Sequence, residues 1–236
     1  MKTTTEFFNF QAPLYDAYQR SCVPKYEEMI QIVARCLRRF LSSAEDLRVI
    51  DLGCGTGNTT AELAKLLPRA SFTCVDASQE MLSGAQSKLA GVPVEFHRLD
   101  LEEDAWEERW PEQRFHAAVS VLVLEHLPFD SYRSVLSRVR RVLVSGGWFV
   151  SVEALNSDLN QQLYFDEMAE WEERALAAGI ISREWLAEMR ALSAEKEHHY
   201  FATVEQKRQW WIQAGFADME VVWQYYCVAA LVGRKP

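Results

Sequence analysis

The sequence predicts an α/β fold built on a mostly parallel sheet, and three observations carry that expectation. An apolar strand pattern, Val49-Ile50-Asp51-Leu52, runs directly into the alternating glycines Gly53, Gly55 and Gly57 and then a helix start at Asn58 or Thr59. A second strand pattern, Ser71-Phe72-Thr73-Cys74-Val75-Asp76, ends on an acid about 20 residues beyond the loop, the spacing at which parallel α/β sheets place a ribose-binding carboxylate. Strand and helix patterns then alternate to residue 150, as parallel strands joined by crossover helices require.

The elements follow in order. Residues 1–46 precede the sheet. Within them Tyr26, Met29, Ile30, Val33, Leu37 and Phe40 recur at three or four residues, the stripe of an amphipathic helix lying on the sheet. Pro24 suits the first turn, Glu27 and Glu28 the positive helix start, and Arg35, Arg38 and Arg39 the negative end. The glycines of the loop free φ and let a ligand approach where a Cβ would block it. Their spacing narrows the ligand: Asn58 stands where a dinucleotide fingerprint needs glycine or alanine, and the Gly-Lys-Ser/Thr of a phosphate loop is absent. Asp51 just ahead of the loop would repel a pyrophosphate and suits an ammonium group. A helix over 61–67 stops at Pro68 and leads to the strand at 71–76. A third strand, Val94 to Leu99, ends on Asp100, and a fourth is expected over 115–127. The acid-rich stretch between them (Glu102, Glu103, Asp104, Glu107, Glu108) is expected as a solvated turn, with Trp106 and Trp110 packing. A helix over 131–143 runs into the glycine-led fifth strand at 145–150.

From about 156 to 203 helical stripes (Leu163, Met168, Trp171, Leu176; Trp185, Leu186, Met189, Leu192) break at Gly179-Ile180-Ile181-Ser182. This insertion is placed to cover a ligand crevice at the carboxyl edge of the sheet. A helix over 204–214 and strands at 219–225 and 228–234 complete the chain.

Composition bounds the function. The 236 residues suffice to bury a sizeable core as one domain with an insertion. A net charge of -9 argues against nucleic acid, whose binding rests on neutralising phosphates, and favours a cationic substrate. The five cysteines are scattered and lack metal-type spacing, which predicts reduced thiols in a cytoplasmic protein and no metal site. Cys54 reads as a small loop residue, not a nucleophile. No apolar run is long enough for a signal core or a membrane span.

The loop, the acids at 76 and 100, the strand at 115–127 and Ser145-Gly146-Gly147-Trp148-Phe149-Val150, in this order and spacing, resemble the motif set of class I S-adenosylmethionine-dependent methyltransferases. The resemblance implies a Rossmann-like, seven-stranded, mostly parallel sheet with helices on both faces and a terminal antiparallel hairpin. The organisation it implies is an N-terminal helical cover at 1–46 and a core at 47–236 carrying a helical lid at about 156–203. Its implied cofactor is S-adenosylmethionine, with Asp51, Gly53, Cys54, Gly55, Gly57, Asp76, Ala77, Met81, Asp100, Leu101 and Val121 at the site. Tyr15-Asp16, Arg20 to Tyr26, Ala214-Gly215-Phe216 and Tyr225 to Val232 look closer still to the carboxy-S-adenosylmethionine synthase branch and its small-molecule methyltransferase neighbours, and would add Tyr26. Three departures weigh against a synthase. Val121 replaces its asparagine, Leu192 falls where its carboxylate-binding arginine aligns with Arg190 close by, and Gly55 replaces its serine.

A sulfonium already activates its methyl, so such an enzyme must mainly hold the acceptor in line and exclude water. An acceptor that begins protonated needs a base, and the candidates are Glu125, His126 and Glu153 near the carboxyl edge, with Tyr15 and His199 from the covering segments. The expected activity is methyl transfer to a small molecule, with nitrogen ahead of oxygen or carbon. The alternatives are carboxy-S-adenosylmethionine synthesis, tRNA modification and non-catalytic cofactor binding. A homodimer is compatible with the sequence.

Overall fold

The computed structural model describes residues 4–41, 46–103, 105–194 and 200–236. Three helices, α1 (Thr4–Gln11), α2 (Tyr15–Cys22) and α3 (Tyr26–Phe40), precede the sheet. There follow β1 (Arg48–Leu52), α4 (Asn58–Leu66), β2 (Ser71–Asp76), α5 (Gln79–Lys88), β3 (Val94–Arg98), β4 (Phe115–Val121), α6 (Phe129–Val142) and β5 (Leu143–Ala154). The insertion is α7 (Asp158–Ala177) and α8 (Arg183–Ala194), and α9 (Val204–Gln213), β6 (Ala217–Tyr225) and β7 (Val228–Arg234) close the chain. The seven strands lie in the order β3-β2-β1-β4-β5-β7-β6. β1 to β5 pair in parallel, and β7 runs antiparallel to β5 and β6. The expected mostly parallel sheet with its terminal hairpin is the observed one.

Strand alternation sorts the core into two layers. Val49, Val119, Val150 and Val152 face α3 and α4, whereas Ile50, Leu52, Ala118 and Phe149 face α6 and α9. α3 presents Tyr26, Met29, Ile30, Val33 and Leu37 to the first layer, all buried, and each such aliphatic contributes about 1.5–3 kcal/mol. Capping fixes two helix starts: the Ser78 hydroxyl accepts from Met81 N at 3.0 Å, and Thr203 and Gln206 form a reciprocal capping box ahead of α9.

Two expectations need correction. β4 does not continue to residue 127 but ends at Val121, because Leu122 takes a left-handed conformation (φ 57) and residues 124–126 form a single 3-10 turn. The acid-rich segment is not wholly solvated. Trp106 and Trp110 pack as expected, but Glu107 is buried with them and its carboxylate pairs with Arg138 and Arg141. Among the described residues no helix is long and apolar enough to cross a membrane.

Candidate functional site

The strand order reverses between β1 and β4, and crevices at the carboxyl edge of such a reversal are where α/β sheets bind ligands. There the loop after β1 is pinned in place: Gly53 N and Cys54 N both donate to the Val75 carbonyl at 2.9 Å. Gly53 sits at φ +68, and a Cβ on it would lie 2.5 Å from Val123 Cγ1, so only glycine lets the β1 and β4 loops approach this closely.

A cleft opens above this junction. Its lining brings together Gly53 and Gly55 after β1, Asp76 and Ala77 after β2, Met81 on α5, Asp100 and Leu101 after β3, and Tyr15 and His126 above. Sequence reasoning had picked all of these. It missed Phe8, Leu99, Leu122, Val123 and Leu127, which complete the walls. Phe7, Phe8 and Phe10 crowd one short segment, a legible apolar signal, whereas the turn at Leu122 leaves no trace in its sequence.

Asp76 is oriented by its own backbone surroundings. Gly55 N donates to its Oδ2 at 2.8 Å and Ser78 N to its Oδ1 at 2.9 Å. Burial raises its pKa, while those N–H groups act in the opposite direction. Tyr15 lies over the loop, its ring 3.6 Å from where a Gly55 Cβ would stand. Burial first, then the neighbouring Tyr26 and carboxylates, hold its phenol well above the usual range, so it acts as a neutral hydrogen-bonding group.

A second cavity, partly open to solvent, adjoins the first and shares Phe8, Tyr15, Leu122 and His126 with it. Its outer walls come from α1, α2, α7 and α8. These helices meet through the Phe10–Trp185 stack, at 6.0 Å between centroids, and the Tyr18 hydroxyl donating to Glu172 at 2.8 Å. Glu125 lines this cavity. It is 3% exposed, and among the described residues its Oε2 has no hydrogen-bond partner. Burial, reinforced by the charge of Glu153, pushes its pKa up to about 8.

Several sequence-selected residues stand outside both cavities. Asp51, 1% exposed, faces α4 and accepts from the Thr60 hydroxyl at 2.6 Å, so it braces the loop from beneath instead of meeting an ammonium group. Burial raises it to about 7. The Tyr26 hydroxyl accepts from Asn58 Nδ2 at 3.0 Å, behind the loop. Gly57 packs against Leu89 and Ala85 of α5, and Val121 against the buried core. Cys54 sits in a small cluster with Cys74, Leu82 and Leu89. Contact with Cys74 and then burial raise its thiol pKa, in keeping with a packing role. Glu153 is fully buried and bound to Lys207, to the Tyr132 hydroxyl at 3.0 Å and to the Ser151 hydroxyl at 2.7 Å. That occupancy removes it from the candidate bases. Arg190 lines the second cavity but pairs with Glu172, and Leu192 is buried. His199 lies outside the described residues.

The residues at the first cleft fit S-adenosylmethionine. A buried, backbone-oriented carboxylate at the end of β2 suits ribose hydroxyls, Asp100 with Leu99, Leu101 and Met81 suits an adenine, and the glycine loop admits close approach. Fold, loop and cleft together resemble those of class I S-adenosylmethionine-dependent methyltransferase domains. Residues 49–147 match the family model described as a methyltransferase domain. A malonyl-acyl-carrier-protein O-methyltransferase of Bacillus cereus is 33% identical over 103 residues, 44% of this chain, and the match spans only 37% of that protein. The fold is similar to the CurJ carbon methyltransferase (TM-score 0.67, 19% identity, 92% of this chain and 56% of that one). It is also similar to DhpI in complex with S-adenosylhomocysteine (TM-score 0.63, 18% identity, 98% and 94%).

Proposed function

We propose that the protein transfers the methyl group of S-adenosylmethionine to a small organic acceptor held in the second cavity, with nitrogen favoured over oxygen or carbon. The observation that carries this reading is the wall shared by the two cavities, Phe8, Tyr15, Leu122 and His126, which makes the acceptor a direct neighbour of the cofactor cleft. The cofactor supplies an activated methyl. The chain's own work is to hold the acceptor beside it and to exclude water, which the aromatic walls and the enclosing helices favour. Acidic balance and aromatic lining support a nitrogen acceptor. Arg190, neutralised by Glu172, offers an extra cofactor carboxylate no free cation, which disfavours the synthase alternative.

The test is incubation with methyl-labelled S-adenosylmethionine and a pooled set of amines, phenols and carboxylic acids, read by mass spectrometry. Label is expected on amines, and prephenate should yield no carboxylated cofactor. Label appearing only on tRNA, or no binding of S-adenosylhomocysteine by calorimetry, would overturn the reading. Asp76→Ala should weaken that binding by about tenfold or more, the worth of roughly 1.5–3 kcal/mol for hydrogen bonds to a charged group.

A further inference from the structure

Two buried acceptor oxygens without partners among the described residues belong to side chains that line one cavity. Glu125 Oε2, from the turn after β4, and Gln19 Oε1, from α2, each lack a hydrogen-bond donor among the described residues, and both residues line the larger cavity. Glu125 is 3% and Gln19 8% exposed, so bulk water does not satisfy them. A buried acceptor left without a donor is costly, and two on side chains at one cavity favour a ligand that donates. The remaining charge points the same way. Glu172 is matched by Arg190 and by the Tyr18 hydroxyl, whereas among the described residues no cation pairs with Glu125. The walls around it are aromatic, with Tyr15 and Tyr164 among them, and aromatic faces attract cations.

From this geometry we infer that the second cavity is a recognition site for an alkylammonium group on an apolar stem, with Glu125 as its counter-ion and Gln19 as a second acceptor. The inference deepens the methyl-transfer reading and rests on it for the neighbouring cleft. A buried cation needs a paired, hydrogen-bonded partner, and Glu125 is the residue that provides one.

The groups around Glu125 set the pH behaviour. Glu153 on β5 raises its pKa and Lys207 on α9 lowers it. Tyr15 on α2, Tyr132 on α6, Tyr164 on α7 and Cys227 at the β6–β7 turn also feel its charge, and burial keeps all four protonated near neutrality. His126 adjoins it on its own turn. Ammonium binding should therefore tighten as pH rises toward and through about 8, as Glu125 ionises.

The experiment uses the whole chain saturated with S-adenosylhomocysteine, titrated with phenethylamine, phenethyl alcohol and 3-phenylpropanoate. These probes share an aromatic stem and differ in the charge at its end. The amine should bind at least tenfold more tightly than either other probe, and its affinity should rise between pH 7 and pH 8.5. Glu125→Gln should lower amine affinity tenfold or more while leaving S-adenosylhomocysteine binding in place, and Gln19→Leu should lower it by a smaller factor. Equal or tighter binding of the alcohol or the carboxylate, binding of none of the three, or amine affinity retained in a folded Glu125→Gln protein would overturn the inference. If Glu125→Gln fails to fold, the probe comparison and pH dependence of the wild-type chain decide. Failure of S-adenosylhomocysteine to bind would instead refute the cofactor reading, so the two failures are distinguishable.

Discussion

Lys207 on α9 and Glu153 on β5 form an ion pair sealed inside the protein, the two side chains 1% and 0% exposed. The Glu153 carboxylate also accepts from Tyr132 and Ser151, and Tyr132 in turn accepts from Trp211 Nε1 at 2.9 Å. The pair therefore fastens α6 and α9 to the sheet through a polar network.

Truncating one partner strands the other charge in the core. Lys207→Met or Glu153→Leu alone should destabilise by about 3–5 kcal/mol, whereas the double variant should recover much of that loss, because apolar replacements of both charges remove the desolvation penalty. Urea denaturation of the three variants measures this. Additive single losses would show that the two residues do not act as a pair.

This pair also marks the limit of what the sequence discloses. Glu153 reads as a candidate base because it sits at the carboxyl end of a strand, but Lys207 lies 54 residues away and no local pattern couples them. The glycine loop, the acids after β2 and β3 and the alternating strands are local signals, and Gly53, Gly55, Asp76 and Asp100 meet at one cleft. Asp51 was placed at the right loop with the wrong partner, since strand alternation turns it toward Thr60 and not toward the cleft. The second cavity was legible only as an insertion needing something to bury against. Its lining is drawn from α1, α2, α7 and α8, whose mutual contacts are set by tertiary packing.

Gly53 and Val123 supply a test of the loop geometry. A Cβ at Gly53 would meet both Val123 methyls at 2.5 and 2.6 Å, and its φ of +68 costs a non-glycine residue about 1–2 kcal/mol. Gly53→Ala should lower the melting temperature and weaken S-adenosylhomocysteine binding. Adding Val123→Ala should restore part of the stability by removing the clash, leaving the backbone cost. No improvement in the double variant would mean that the backbone conformation alone is limiting.

Asp51 couples folding to pH. Its folded pKa of about 7 lies above the roughly 3.9 of an unfolded aspartate. Between these values the folded chain holds a proton that the unfolded chain has released, so its contribution to stability is present below about pH 4 and is lost as pH rises through 7. Asp51→Asn keeps an acceptor for Thr60 and removes the titration. Relative to wild type, the variant should gain on the order of a few kcal/mol between about pH 4 and pH 8. Chemical denaturation across that range checks the sign, and parallel stability profiles would contradict the assignment.

Helices α1, α2, α7 and α8 roof the second cavity, and their attachment differs from that of the sheet. α2 and α7 are joined by Tyr18–Glu172, α7 is tied to β6 by the Tyr225 hydroxyl on Glu167 at 2.6 Å, and Phe8 meets His126 edge-on at 5.4 Å. α7 leaves Leu159, Leu163 and Phe165 exposed, so the roof buries less apolar surface than the strands beneath it. Elements with fewer buried contacts open locally at lower free energy than the core, and closure over a ligand is the usual use of such elements. Hydrogen exchange should show both roof segments weakly protected in the free protein and better protected with S-adenosylhomocysteine, since Phe8 and Tyr15 line the cofactor cleft. Residues 49–52 and 117–121, in the middle of the sheet, should stay protected in both states. Equal protection of roof and central strands, unchanged by ligand, would identify the insertion as a rigid part of the fold.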